Sequence, residues 1–134
     1  MKHMKAERIL VSGSLQETLW RLEEARLGLR DTSATQTKEA LQWILGRQGL
    51  PGSYGGLFAP TLKDISKGIK LPTGEFMGGH GGARHILGEE ALRTLAVWKF
   101  GWHSTPFRQA MDGYKDIFRR VIERNDGLFC CYKC

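Results

Sequence analysis

Apolar residues recur every three or four positions in four stretches of the chain, and this spacing is typical of amphipathic helices. The stretches predict helices over about residues 15–30, 36–48, 83–100 and 106–124. In the third stretch few helical directions are purely polar, so apolar side chains cover most of its circumference. We therefore expect the third helix to be the central one of the fold.

Residues that favour helix ends flank these stretches. Ser14 and Glu17 form the S-x-x-E pattern of a capping box at the start of the first helix. Gly101 predicts the end of the third helix, while Thr105 as N-cap and Pro106 at the first helical position predict the start of the fourth. Short connections then join the helices in two pairs, which indicates an all-α fold of two helical hairpins.

A long irregular segment separates the two predicted hairpins. Residues 49–83 contain ten of the seventeen glycines and three of the four prolines, which disfavour regular structure. Thr61 and Asp64 predict a short helical turn within it, and Asp64 is interpreted as a solvated loop residue. Because the segment is also rich in apolar residues, we expect it to fold back over a site. The sequence thus predicts a single helical domain over residues 1–134 with one long glycine-rich insertion loop.

Composition and charge narrow the classes of function. The chain has a formal net charge of +6 at pH 7, but its basic residues are scattered among acidic ones. A solvated surface explains this distribution better than a nucleic-acid interface. No apolar run reaches the roughly 18–20 residues that span a bilayer, and the apolar run within residues 1–13 is too short for a signal peptide. We expect a cytoplasmic protein with no membrane span.

The best candidate for chemistry lies where the glycine-rich loop meets the third helix. His85 and Glu89 are four residues apart, so they share one helix face and could act as metal ligands or as an acid–base pair. His80 and Arg84 lie just upstream and could contact a substrate, as could Tyr54 from the start of the loop. The alternative is a simple surface pair, which would carry only a structural role.

The cysteines form a second candidate cluster at the end of the sequence. Cys130, Cys131 and Cys134 are the only cysteines, and the last two have the spacing found in zinc knuckles and redox pairs. His80, His85 or His103 brought close in space could complete a zinc site with Cys131 and Cys134 as ligands, and His85 with Glu89 is the other candidate pair of metal ligands. Free thiols are the alternative. An apolar terminus of this kind fits either a complete chain or a fragment of a longer one.

The second predicted helix and the turn after it resemble a repeat found in a known enzyme class. The segment ALQWILGRQ at residues 40–48, followed by PGSYGG at residues 51–56, is similar to the helical-hairpin repeat of terpene cyclases and protein prenyltransferases. Residues 118–132 give a fainter echo of it. The resemblance implies part of an α/α toroid, a ring of paired inner and outer helices around an apolar catalytic cavity. Tyr54 stands where the family usually has tryptophan, and the acidic catalytic motifs of the cyclases are missing from this sequence.

Three functions follow from these observations. The first is a domain that resembles part of an α/α-toroid enzyme, with a metal or acid–base site at the junction of loop and helix. The second is a non-enzymatic helical interaction module, which docks on a further domain of the same chain or on a second copy, with a structural cysteine cluster that binds zinc. The third, a basic nucleic-acid-binding domain, is disfavoured by the scattered charge.

Overall fold

The structure is a computed structural model, and it describes residues 10–51, 53, 56–70, 76–77 and 80–124. Within these ranges the side chains of 69–70, 76–77, 80–85, 121 and 124 are not described. Five helices account for most of the described residues, so the expected all-α class is confirmed. None of the helices in these ranges is long and apolar enough to cross a membrane.

The elements follow one another in a simple order. The helices are α1 (Leu15–Arg26), α2 (Ala34–Leu45), α3 (Leu62–Lys67), α4 (His80–Val97) and α5 (Thr105–Arg124). A two-residue antiparallel ladder lies between α3 and α4 and is formed by β1 (Ile69–Lys70) and β2 (Phe76–Met77), with Ile69 opposite Met77. The predicted loop 49–83 therefore contains α3, this ladder and the start of α4, and its residues 52, 54–55, 71–75 and 78–79 lie outside the described residues.

Helix starts follow the sequence signals with two corrections. Ser14 Oγ accepts a hydrogen bond from the Glu17 amide at 3.1 Å, as expected for an N-cap. The Glu17 carboxylate, however, lies 3.5 Å from Lys63 Nζ, and the Ser14 amide donates to the Ser12 hydroxyl instead. At α5 the N-cap is Ser104, because its hydroxyl accepts a hydrogen bond from the Phe107 amide at 3.3 Å. Thr105, the predicted N-cap, is instead the first residue of the helix.

Helix ends depend on residues that adopt the left-handed conformation. Gly28, with φ of 77°, ends α1 four residues earlier than predicted, and the Leu29 amide donates to the Glu24 carbonyl across the turn. Lys99 does the same for α4 with φ of 55°, although side chains other than glycine seldom adopt this conformation. The predicted stop at Gly101 is therefore wrong by a few residues.

Helix α4 lies at the centre of the packing, as its sequence indicated. It contacts α1, α3 and α5, while α2 packs on α1. The helices of the two predicted hairpins, α1 with α2 and α4 with α5, are thus in contact. The buried core is formed mainly by leucines of α1 and α4 together with side chains of α2, α5 and the loop after α2: Leu15, Leu19, Leu22, Ala40, Ile44, Leu57, Phe58, Leu87, Ala91, Leu95, Phe107, Ala110 and Ile117.

The Arg47–Gln48 pair, which belongs to the repeat-like segment, holds the following loop against the core. The Arg47 guanidinium donates to the carbonyls of Ala59 and Pro60, at 2.6 and 3.1 Å. The Gln48 side-chain amide donates to the carbonyls of Gly56 and Pro106, at 2.8 and 2.6 Å. Residues 57–59 are fully buried, and backbone bonds from the Gly49 amide to the Leu57 carbonyl and from the Ala59 amide to the Arg47 carbonyl, both 3.0 Å, pair part of their backbone as well.

Candidate functional site

A groove of about 390 Å³ runs between α4 and α5. One side is formed by residues at helical spacing on α4 and the other by two large side chains of α5. The lining residues are Glu89, Glu90, Leu92, Arg93, Ala96, Met111 and Tyr114. Its floor is apolar, and its charged groups sit along the α4 side. An apolar concavity with a few convergent polar groups is the usual form of a binding site.

The ionised forms of two side chains at the groove, Glu90 and Tyr114, are disfavoured by their surroundings. Burial raises the pKa of Glu90, the neighbouring Glu89 raises it further, and Arg93 partly offsets both effects. Burial and the charge of Glu89 also raise the pKa of Tyr114 across the groove. Both shifts mean that negative charge is poorly solvated here. A positive charge close to these groups would favour their ionised forms, as Arg93 does for Glu90.

The apolar surface continues beyond the groove along α5. Phe118 follows Tyr114 by one helical turn, and the two rings stack with centroids 6.5 Å apart and an interplanar angle of 28°. Although it lies on the apolar side of the helix, Phe118 remains 40% exposed. The groove and this ring form one continuous apolar surface.

Only one of the predicted catalytic residues has a described side chain. Glu89 is half-buried at the groove. His85 lies one turn earlier in α4, Arg84 precedes it and His80 is the first residue of the helix, but none of their side chains is described. The His85–Glu89 pairing therefore stays a prediction. The sequence analysis did not assign Glu90, Met111 and Tyr114 to a site. The one local signal was a second carboxylate, Glu90, in a largely apolar helix, and nothing local connects it with residues of α5.

The other predicted site residues lie elsewhere in the chain. Tyr54, Cys131 and Cys134 fall outside the described residues. Within the part of the chain that the structure describes, no three side chains of histidine, cysteine, aspartate or glutamate come together as a metal site. Metal binding by His85 and Glu89, and zinc binding by Cys131 and Cys134, thus stay predictions.

Asp64 is not a solvated loop residue, and that interpretation was wrong. Its carboxylate is only 3% exposed. It accepts from the Leu15 amide at 2.7 Å, the Gln16 amide at 3.2 Å and the Ser14 hydroxyl at 2.6 Å, all at the start of α1. It also accepts from the Thr61 amide at 2.8 Å and so closes the capping box of its own helix, α3. One carboxylate therefore caps two helices, and its role is structural.

Comparison with protein-family models, curated proteins and solved structures finds no match to this chain. The resemblance of residues 40–56 to the α/α-toroid repeat therefore stays a prediction. In this fold the Arg47–Gln48 pair of that segment donates hydrogen bonds to loop carbonyls. The groove lies between α4 and α5, away from this segment.

Proposed function

We propose that this chain is a helical interaction module whose groove between α4 and α5 holds a helix of a partner protein. That helix would present apolar side chains to the groove floor and a lysine or arginine to Glu89 and Glu90. The observation that carries the proposal is the combination of an apolar floor with a carboxylate, Glu90, whose pKa burial raises.

The chemistry of the groove favours this class of ligand over others. A neutral apolar ligand would bury the Glu90 carboxylate further without adding a counter-charge, and an anion would meet the negative side chains of Glu89 and Glu90. A cation beside an apolar surface satisfies both requirements. Helix-in-groove recognition uses this pattern, in which apolar anchors provide affinity and charges fix the orientation.

A pair of amphiphiles with the same tail tests this proposal without a known partner. Octylammonium should shift the NMR signals of the Leu92, Ala96 and Met111 methyl groups, and octyl sulfate should bind at least several-fold more weakly. Ala96→Phe fills the groove and should abolish the shifts. Val97→Phe adds the same ring at the neighbouring exposed position outside the groove and should not. Equal binding of both amphiphiles, or binding that survives Ala96→Phe, would contradict the proposal.

Acid–base or metal chemistry at His85 and Glu89 is the second candidate function. It is favoured by the position of Glu89 in the same groove as Glu90, whose pKa burial raises. If the two side chains interact, Glu89→Gln should lower the NMR-determined pKa of His85 and leave that of the exposed His103 unchanged. For metal binding, a zinc sulfate titration should find one site fewer in a His85→Ala/Glu89→Ala variant than in the wild-type chain. Unchanged zinc binding with the fold intact would exclude these residues as ligands.

A further inference from the structure

We infer that one end of the molecule, formed by residues 43–48 at the close of α2 and residues 97–104 between α4 and α5, binds the surface of an anionic lipid bilayer. We call it the basic end. None of its residues lines the groove between α4 and α5, so the inference does not depend on the proposed partner helix. It is drawn from the charges of two segments, from the contacts between them and from tryptophans that lie beside cations.

The two segments that contain the basic end have no acidic residue. None of the 14 aspartates and glutamates of the chain lies within residues 40–60 or 91–111. All charged residues of the two segments are basic, and they are Arg47, Arg93, Lys99 and Arg108. Lys99 forms no ion pair with any residue that the structure describes. Its positive charge is therefore available to an anionic surface.

The fold brings the two segments together. A Cβ added at Gly101 would lie 3.9 Å from Leu45 Cδ2, so the turn after α4 contacts the end of α2. The Gln48 side-chain amide donates to the Pro106 carbonyl at 2.6 Å and joins the same segments one step further on. Stretches that are far apart in sequence thus form one end of the molecule, and neither contributes a carboxylate to it.

Tryptophans and cations are paired at the basic end. Three of the four tryptophans of the chain lie in it. Arg47 Cζ lies 5.5 Å from the centroid of the Trp43 ring, and Lys99 Nζ lies 5.8 Å from that of Trp102. Trp102 is 50% exposed. Tryptophan beside lysine or arginine is typical of protein surfaces at the boundary of lipid headgroups and acyl chains, because the indole is amphipathic and the cation attracts anionic lipids.

The backbone conformation of Lys99 supports a role for its side chain. Lys99 has φ of 55°, in the left-handed region where glycine is favoured at the end of a helix. Residues in unfavourable conformations cluster at functional sites. A lysine here sets an ammonium group beside the exposed indole of Trp102, which a glycine could not do.

The surroundings of Trp102 favour a bilayer over a nucleic acid. Lys99 Nζ lies over its ring, and the His103 ring lies beside it with centroids 5.9 Å apart. These neighbours leave less of the indole face free for a base to stack on, and stacking is how single strands bind exposed aromatic rings. Val97 is 40% exposed and adds aliphatic surface that a bilayer can cover.

Binding to sucrose-loaded vesicles, measured by co-sedimentation at millimolar lipid, tests the inference. The wild-type chain should bind vesicles of equal parts phosphatidylcholine and phosphatidylserine, and should bind pure phosphatidylcholine vesicles at least several-fold more weakly. Trp102→Ala should lower the partition coefficient at least about fivefold. Lys99→Gly should lower it about fivefold on the anionic vesicles alone, the effect of one cation near an anionic membrane. Glycine suits the left-handed backbone, so a loss of binding in this variant does not come from misfolding.

Two matched controls remove the same kinds of group elsewhere. Leu29→Ser deletes an apolar side chain that is 74% exposed in the turn between α1 and α2. Lys38→Gln deletes an exposed cation from the first half of α2. Both variants should bind the anionic vesicles like wild type. Circular dichroism checks that all four variants fold.

Three results would overturn the inference. The first is a wild-type chain that does not bind the anionic vesicles at millimolar lipid. The second is binding that Trp102→Ala and Lys99→Gly leave unchanged, or that the two controls weaken as much. The third is a wild-type chain that ignores vesicles but binds an oligothymidine through Trp102, which would assign the basic end to single-stranded nucleic acid instead.

Discussion

Removal of the Asp64 carboxylate gives the sharpest test of how this fold is held together. Asp64→Ala deletes an acceptor that serves Ser14, Leu15 and Gln16 at the start of α1 and Thr61 at the start of α3. Asp64→Asn keeps the size of the side chain and one carbonyl oxygen. It loses the charge and the second acceptor.

The expected magnitude follows from the bonds that are lost. Hydrogen bonds to a charged group contribute about 1.5–3 kcal/mol each, and a lost helix cap costs about 1 kcal/mol. The four losses at Asp64 are not additive, because they share one acceptor. Water from the adjoining surface cavity of about 230 Å³ can also satisfy part of the exposed backbone. We therefore expect Asp64→Ala to lower the free energy of unfolding by about 3–5 kcal/mol and Asp64→Asn by about 2–3 kcal/mol.

Urea unfolding followed by circular dichroism measures these changes. Asp112, an exposed carboxylate of α5, is the matched control, and Asp112→Asn should change the free energy of unfolding by less than about 0.5 kcal/mol. Amide hydrogen exchange adds a local readout, because the Leu15, Gln16 and Thr61 amides should lose protection first in the Asp64 variants. A loss below about 1 kcal/mol for Asp64→Ala would show that the carboxylate does not join the two helices as described.

Three further predictions concern other positions. A Cβ at Gly56 would lie 2.7 Å from the Gln109 carbonyl oxygen, so Gly56→Ala should cost about 1–3 kcal/mol in urea unfolding, whereas Gly46→Ala, with no contact below 3.4 Å, should cost less than about 0.5 kcal/mol. Lys99→Gly should be about 1 kcal/mol more stable than Lys99→Ala, since both lose the ammonium group and only alanine keeps a Cβ in the left-handed conformation; equal stabilities would contradict this. Burial raises the pKa of Glu90, so between the ordinary and the raised pKa the folded state binds more protons than the unfolded state. The free energy of unfolding therefore falls as pH rises through that window. Glu90→Gln should therefore be more stable than wild type at pH 7, by a difference that disappears below about pH 4, and a constant difference in thermal unfolding across pH would refute the assignment.

The helices could be predicted from the sequence because their signals are local. Spacing of apolar residues located all four long helices, and Ser14 marked the start of the first one correctly. Errors fell at helix ends, where Lys99 adopts a conformation that its residue type does not suggest. Helix α4 also begins at His80, earlier than predicted, within a run of glycines that disfavour a helix.

Chain periodicity and capping residues thus establish the helical class, the order of the helices and the central position of α4. These features can be predicted because their signals lie in residues only a few positions apart in the sequence. The groove and the role of Asp64 depend on residues far apart in sequence. Asp64 meets Ser14 across 50 positions, and Glu90 is partly buried in a groove whose other side is formed by α5. A carboxylate in a loop and a carboxylate in a helix look alike in the sequence, and only the fold decides which of them is buried with partners and which borders an apolar groove.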